Sequence, residues 1–554
     1  MVSALVTSVA VLILLTQNPA PQSSKLAEKV PPPCTVTGRV SSATDGTPLK
    51  SSRVALIPEH RTKESQGYAA VSDSSGRFII KDVPAGRYQF VVTHTGYVDQ
   101  YYQSNEADAG AILALQAGQE VKDILFRMKL AAVITGHVND EDGEPMSLVQ
   151  VFALRRPTED ELEEPEDVSS GSQRLLPEAW AQTDDRGQYR IFGLRAGEYY
   201  IKAVDHDEPI ITESQMGRES VIREALGSQY APVYYPGVTQ IGQAETVVLS
   251  SGQEAQADFA MRRIRSVDIS GRVIGVDGKP ADAFVSLEEL GTEDFGEDHS
   301  STTDAKGEFK MKGVAPGSYV LHAEQHSVGE TRYHASQKIE VGGDNIDSIT
   351  LALGRGVNFS GRVQLSGAGT MRLERMFLEL VSHDDQSARA WTRVKKDGTF
   401  QFTDVPDGTF TFVINEMEET WYLKSVRLGA EDLLAKGLEV EKGESRGTIQ
   451  VVVSHNGAEL SGSVTQDDKP MIGARVRLTP DPETRFNRFR SRTAFTDQAG
   501  RFSLIGLAPG RYRVIAKASG SDRENALSSD PQSVSLAEHD HKTIELTVAS
   551  PQTP

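Results

Sequence analysis

Apolar and polar residues alternate along most of this chain with a period of two. Glu308-Phe309-Lys310-Met311-Lys312 and Arg475-Val476-Arg477-Leu478 are typical runs. Such alternation predicts half-buried β-strands, and turn residues interrupt it every ~8–12 positions. Three glycines then recur in order. A strand-opening glycine stands at Gly38, Gly136, Gly271, Gly361 and Gly462. A turn glycine follows at Gly76, Gly187, Gly307, Gly398 and Gly500, and a third at Gly86, Gly197, Gly317, Gly408 and Gly510. The second and third are ten residues apart in every copy, and each has Tyr or Phe two residues later. Fixed spacing of this kind identifies one module copied in tandem.

Asp73, Asp184, Asp304 and Asp497 stand three residues before the turn glycine. There a carboxylate can accept from backbone N–H groups while Gly adopts positive φ. The fourth copy departs from the pattern: Lys395 replaces the Asp, and the DGxP turn present at 45–48, 142–145 and 277–280 is absent. Each copy closes with two strands about a turn, predicted as a hairpin. Six to seven strands in about 90–130 residues describe a small antiparallel β-sandwich. The expected fold is all-β: five tandem sandwiches at 34–130, 131–264, 265–355, 356–456 and 457–549. With each unit burying its own core, the array is expected to be elongated and segmented.

The series [ST]GxV, DGxP, TDxxGxF and GxxPGxY resembles the carboxypeptidase regulatory-like domain, a transthyretin-like sandwich grouped with carbohydrate-binding-like folds. The resemblance spans nearly all of 34–549. It implies the fold closely and the function loosely, because such domains serve as accessory, adhesive or glycan-binding modules.

Composition narrows the function. The 554 residues carry 58 Lys+Arg against 78 Asp+Glu, a net charge of −20, which repels phosphate backbones and argues against nucleic-acid binding. A single cysteine excludes an intrachain disulfide framework. Residues 1–20 have the short apolar core of a signal peptide (Ala4–Leu15), with Ala20 as the cleavage residue but no Lys or Arg upstream. A Pro-rich linker, 21–33, follows, and no later stretch is apolar enough for a transmembrane helix. The expected location is therefore outside the cytoplasm: periplasm, outer cell surface or medium.

Residues that suggest chemistry in one copy are checked by the others. Zinc carboxypeptidases that carry this domain need His-x-x-Glu, and none of the twelve histidines has Glu three residues on. His322 and His326 continue a strand, which separates them by ~13 Å, too far to share a metal. Gly443-Glu-Ser-Arg-Gly447 matches a nucleophile elbow but occupies the closing turn, where the motif has no strand-to-helix geometry. Glu538-His-Asp-His541 sits at the same turn in the fifth copy. Cys34 aligns with Ala132, Val267, Val357 and Ala458, a small buried hydrophobe at a strand start. The Asp turns offer too few oxygens for calcium, leaving the acidic loops Asn139–Glu144 and Glu293–Asp298 as weak candidates. Glu159–Asp167, with seven acids in nine positions, reads as a solvated insertion. No Lys/Asn pair recurs as an isopeptide crosslink requires. The chain is expected to be non-enzymatic, without cofactor or metal.

The first two copies share a loop that the others lack. Tyr97-Val-Asp-Gln-Tyr101-Tyr102 superposes on Tyr230-Ala-Pro-Val-Tyr234-Tyr235 at an offset of 133. The second copy adds Trp180 and a helix-like stretch, Gly217–Leu226. Aromatic rings on a rigid sandwich suit pyranose faces. Tyr97, Tyr101, Tyr102, Trp180, Tyr230, Tyr234 and Tyr235 are therefore candidate carbohydrate-binding residues. The competing reading has the rings packing over a sheet edge or between the first two units. The expected ligand is a polysaccharide or envelope glycan. The alternative is a structural or adhesion stalk whose partner is a surface protein.

Overall fold

The protein is seen in a computed structural model that describes residues 31–549, except 61–65, 105–109, 158–174, 206–229, 231, 240, 263–266, 290–298, 315, 327–331, 383–388, 442–446, 485 and 519–526. The signal peptide, most of the linker, Glu159–Asp167, Gly217–Leu226, Glu293–Asp298 and most of Gly443–Gly447 lie outside the described residues. Within them the chain is strand and turn, and the one α-helix is the four-residue Leu433–Lys436. The all-β expectation holds.

The first copy shows why the recurring residues are needed. Its opening strand, Cys34–Ser42, lies between Arg77–Val83, antiparallel, and Glu120–Met128, parallel. Gly38 pairs with Phe78 across the antiparallel ladder. A Cβ on Gly38 would stand 2.2 Å from the Ile124 carbonyl oxygen and 2.6 Å from the Phe78 ring. The opening glycine and the aromatic after the turn are thus one device: the ring lies on bare backbone. At the turn, Asp73 Oδ1 accepts from the N–H groups of Ser75 and Arg77 at 2.8 and 2.9 Å, and Gly76 takes φ 73°. The tyrosine after the third glycine ties its strand down. Tyr88, Tyr199 and Tyr512 each donate to the carbonyl four residues earlier, at 2.9, 3.1 and 2.7 Å. Cys34 is buried at the strand start, and its thiol donates to the Gln116 carbonyl at 2.9 Å.

A second sheet faces this one, built from Arg53–Pro58, Tyr68–Val71, Gly86–Thr93, Gln100–Tyr101 and Ile112–Leu115. The described strands form ten sheets, two from each sequence copy. Five large apolar clusters lie within 34–128, 132–261, 267–353, 357–453 and 458–548.

Two expectations need correction. The closing strands do not form a hairpin. Ile112–Leu115 pairs with Gly86–Thr93, whereas Glu120–Met128 joins the opposite sheet. The other four copies split their closing strands the same way. Each strand has one apolar face, and placing the two in facing sheets buries both faces in one core. The second strand also covers the open edge of the opening strand.

The array, moreover, is not a straight string, because its first and fifth units touch. Ile112 N–H donates to the Thr496 carbonyl at 3.2 Å. The Gln498 side-chain amide accepts from Ala114 N–H at 3.0 Å and donates to its carbonyl at 2.7 Å. Arg87 bridges Glu59 at 2.5 Å and Asp497 at 2.9 Å. His60 of the first unit lies 2.7 Å from Glu419 of the fourth. A sequence pattern reports what each unit buries internally, and it carries little trace of polar contacts between units.

Candidate functional site

The second unit differs from the others on the outer face of its larger sheet. That sheet runs Leu176–Gln182, Gln150–Arg155, Gly197–Val204, then Val233–Tyr234 and Thr246–Leu249. Register places one row across four strands: Trp180 opposite Phe152, Phe152 opposite Lys202, Lys202 opposite Tyr234. The equivalent row of the first unit is Ala69, Ala55, Val91 and Tyr101. Phe152, Leu154, Leu175, Val204 and Tyr234 form a small apolar cluster of their own on this face. Lys202 is buried beneath Tyr234, its ammonium 6.0 Å from the ring centroid, an arrangement that keeps an otherwise costly charge paired with π density.

Trp180 stands at the open end of the row, 60% exposed, its ring centroid 6.5 Å from that of Phe152. Its strand is held by Glu178, which accepts from Arg155 at 2.8 Å and from Arg195 at 2.6 Å. Burial works against the charge on Glu178, yet the two guanidiniums keep its carboxyl below the ordinary value. On the other flank lies an open groove of about 700 Å³ lined by Arg156, Glu198, Tyr200, Ala244, Glu245 and Thr246. Tyr200 pairs with Thr246 across the strands. Arg156 donates to the Tyr200 hydroxyl at 2.8 Å, with its guanidinium carbon 5.7 Å from the ring centroid. The groove thus offers a half-exposed aromatic ring, one planar donor and two exposed carboxylate acceptors. That inventory matches a hydroxylated ring: CH groups against the aromatic, hydroxyls to the charged rim.

The seven residues singled out from sequence do not share a face. Tyr234 belongs to the row just described, whereas Tyr235 points to the core and meets Phe259 edge-on at 6.0 Å. Tyr230 also packs against that core. In the first unit Tyr101 is the counterpart of Tyr234, opposite Val91. Tyr102 packs on the core 6.0 Å from Phe90, and Tyr97 lies 5.2 Å from His94. Trp180 alone among the seven presents most of its side chain to solvent. Sequence reasoning missed Arg156, Glu198, Tyr200 and Glu245. One signal was available: the residue after the corner tyrosine or phenylalanine is Gln89, Val320, Thr411 and Arg513 elsewhere, and only here is it a second Tyr.

The other motifs resolve into structure. His322 and His326 lie on one strand, Gly317–His326. Glu538 accepts from the Tyr422 hydroxyl and Lys424 of the fourth unit, both at 2.6 Å, while His541 turns to Glu459 at 3.0 Å. Among the described residues no group of three or more His, Cys, Asp or Glu could hold a metal ion. Nor is any described helix long and apolar enough to cross a membrane.

Fold and face together define a repeated β-sandwich protein with an aromatic and polar outer sheet face. Two stretches, residues 35–118 and 459–549, match the family model described as the carboxypeptidase regulatory-like domain, which bears out the resemblance for the first and fifth copies. No curated protein sequence matches the chain. Among solved structures, a streptococcal ancillary pilin is 13% identical, covering 58% of this chain and 98% of its own, at a TM-score of 0.21. The minor pilin of Streptococcus agalactiae is 14% identical over 42% of this chain and 96% of its own, at 0.23. The Bacillus anthracis TIE protein is 10% identical over 90% of this chain and 74% of its own, at 0.15. Superpositions at that level carry no weight for function.

Proposed function

We propose that this protein is an exported, non-catalytic array of five β-sandwich domains, at 34–130, 131–264, 265–355, 356–456 and 457–549, that binds polysaccharide through the outer sheet face of the second. The observation that carries the reading is that one sheet holds both the row of Trp180, Phe152 and Lys202 and, two residues further along the same strands, Tyr200, which lines the groove with Arg156, Glu198 and Glu245. Tyr234 ends the row on the side opposite Trp180, and Trp180 and Tyr200 supply the stacking surfaces. Two carboxylates beside one guanidinium, on a chain of net charge −20, favour a neutral hydroxyl-rich polymer over an anionic one. Export follows from the apolar core Ala4–Leu15.

The test is retention of the purified chain on insoluble cellulose, chitin, xylan and peptidoglycan. One of these polymers retains the wild type, and Trp180→Ala combined with Glu198→Ala lowers its apparent affinity about 10-fold or more, the scale of a lost stacking contact plus a charged hydrogen bond. Unchanged retention of that double variant on every polymer that holds the wild type overturns the reading. A structural stalk for a surface protein is the second reading. The contacts joining the first unit to the fourth and fifth favour it, because they give the array a fixed geometry. Capture of an envelope protein that survives both substitutions would select it.

A further inference from the structure

We propose that the fourth unit carries a second saccharide-binding face centred on Trp391, so that the array grips one polymer at two points. This rests on the polysaccharide reading of the second unit. The chain has three tryptophans. Trp421 is 1% exposed and belongs to the fourth unit's core. The other two occupy the same place in their modules, seven residues before the turn glycine: Trp180 before Gly187 and Trp391 before Gly398. The remaining copies have Ala69, Ser300 and Thr493 there. Both tryptophans lie on a terminal strand of the sheet that carries the third-glycine strand, and they are 60% and 61% exposed.

Their surroundings correspond in kind though not residue by residue. Trp391 faces Glu379 across the ladder, as Trp180 faces Phe152. Phe377, two residues from Glu379 on the same strand face, has its centroid 6.2 Å from that of Trp391. The Arg393 guanidinium stacks 4.3 Å over the Phe377 ring, as Arg156 lies over Tyr200. Asn415 is paired with Phe377 and donates to Glu379 at 3.0 Å. Each face therefore holds an exposed indole, a second ring with an arginine stacked on it, and a carboxylate acceptor.

Holding two indoles in water at matching positions wastes apolar area unless a partner covers them. The flanking groups say which partner. Among the described side chains beside Trp391, Arg393 and Glu379 carry opposite charges, which suits a neutral chain, and an amide, a carboxylate and a guanidinium around flat rings suit hydroxyls. Two weak sites on one chain raise each other's local ligand concentration, so affinity for a long polymer exceeds that for a short oligomer.

The experiment compares wild type, Trp180→Ala, Trp391→Ala and the double variant for retention on cellulose, chitin, xylan and peptidoglycan. Both side chains are exposed, and circular dichroism melts confirm that the variants stay folded. Loss of about 10-fold or more in each single variant, and retention at background in the double, is expected. If Trp180→Ala weakens retention and Trp391→Ala leaves it unchanged, the second face is refuted while the proposed function stands. If Trp391→Ala alone weakens it, the second-unit reading and the two-point grip both fail. If neither matters, or no polymer retains the wild type, both readings fall. A local readout accompanies this: in Trp180→Phe protein, soluble hexasaccharide of the retained polymer shifts Trp391 emission to the blue, and no shift counts against the face.

Discussion

The same rim of the sandwich is shut in the first unit and open in the second. Arg87 follows the third glycine of the first copy, and Glu198 holds that place in the second. The register that pairs Ile57 with Gln89 and Leu154 with Tyr200 makes Glu59 the counterpart of Arg156. Charges are thus exchanged across the strands. In the first unit Glu59 and Arg87 pair at 2.5 Å, and Arg87 goes on to Asp497 of the fifth unit. Nearby, the backbone of Ile112 and Ala114 is capped by Thr496 and Gln498. In the second unit the matching Thr246 lines an open groove, and the matching Val248 is 60% exposed. One scaffold position therefore serves as an interface or as a binding rim according to which charge it carries and what that charge meets.

The largest effect that tests this contrast comes from Arg87→Ala. It strips the shared cation from Glu59 and Asp497, whose side chains are 10% and 6% exposed. Breaking a largely buried ion pair by removing one partner costs about 3–5 kcal/mol, and the partial exposure of Arg87 places this case near the low end, about 3 kcal/mol. Small-angle scattering is expected to show a larger radius of gyration as the first and fifth units part. Glu198→Ala, on an open rim, shifts stability by less than about 0.5 kcal/mol and leaves scattering unchanged. Identical scattering for wild type and Arg87→Ala would abolish the contrast.

A smaller effect separates the turns. Asp184 and Asp497 make the same two backbone bonds, at 2.9 and 2.8 Å from Arg186 and Gln188, and at 2.8 and 2.9 Å from Ala499 and Arg501. Asp184→Ala loses only those two bonds, in full solvent, and lowers the melting temperature slightly. Asp497→Ala also takes from Arg87 its carboxylate partner in the fifth unit and costs about 2 kcal/mol, read as a larger drop in melting temperature. Equal drops would mean that the bridge contributes nothing.

Much of this fold was legible because its determinants are local. Gly38 with Phe78, Asp73 with Gly76, and Tyr88 with Pro84 each act within one module, so repetition exposes them. The destination of a closing strand was not legible, because an alternating strand looks alike whether it folds back as a hairpin or crosses to the facing sheet. The closure at Arg87 and Asp497 was hidden for a related reason: Asp497 sits in a motif whose copies Asp73, Asp184 and Asp304 face water, and nothing nearby in sequence marks it as buried. Of the site, Trp180 was visible as an outlier. The tyrosine pairs misled by composition, since alternation along a strand sends Tyr234 outward and Tyr235 to the core.

The weakest effect separates the two contacts of the first unit by pH. The hydrogen bond to Glu419 is the main cause raising His60 above its ordinary 6.5, with the charges of Glu59 and Glu419 adding to it, while burial and Arg87 pull the other way. A raised folded-state pKa means that protonated His60 stabilises the contact. That contribution is complete below about 6.5 and disappears as pH climbs through the raised value. With side chains 28% and 47% exposed, the pair is worth less than about 1 kcal/mol. The Arg87 guanidinium stays protonated across this range. Between pH 6 and pH 9 the first–fourth contact should therefore loosen while the first–fifth contact holds, which cross-linking at engineered positions beside each can resolve. His60→Gln should flatten the pH response of the first contact, and a response that persists in that variant would assign it to another group.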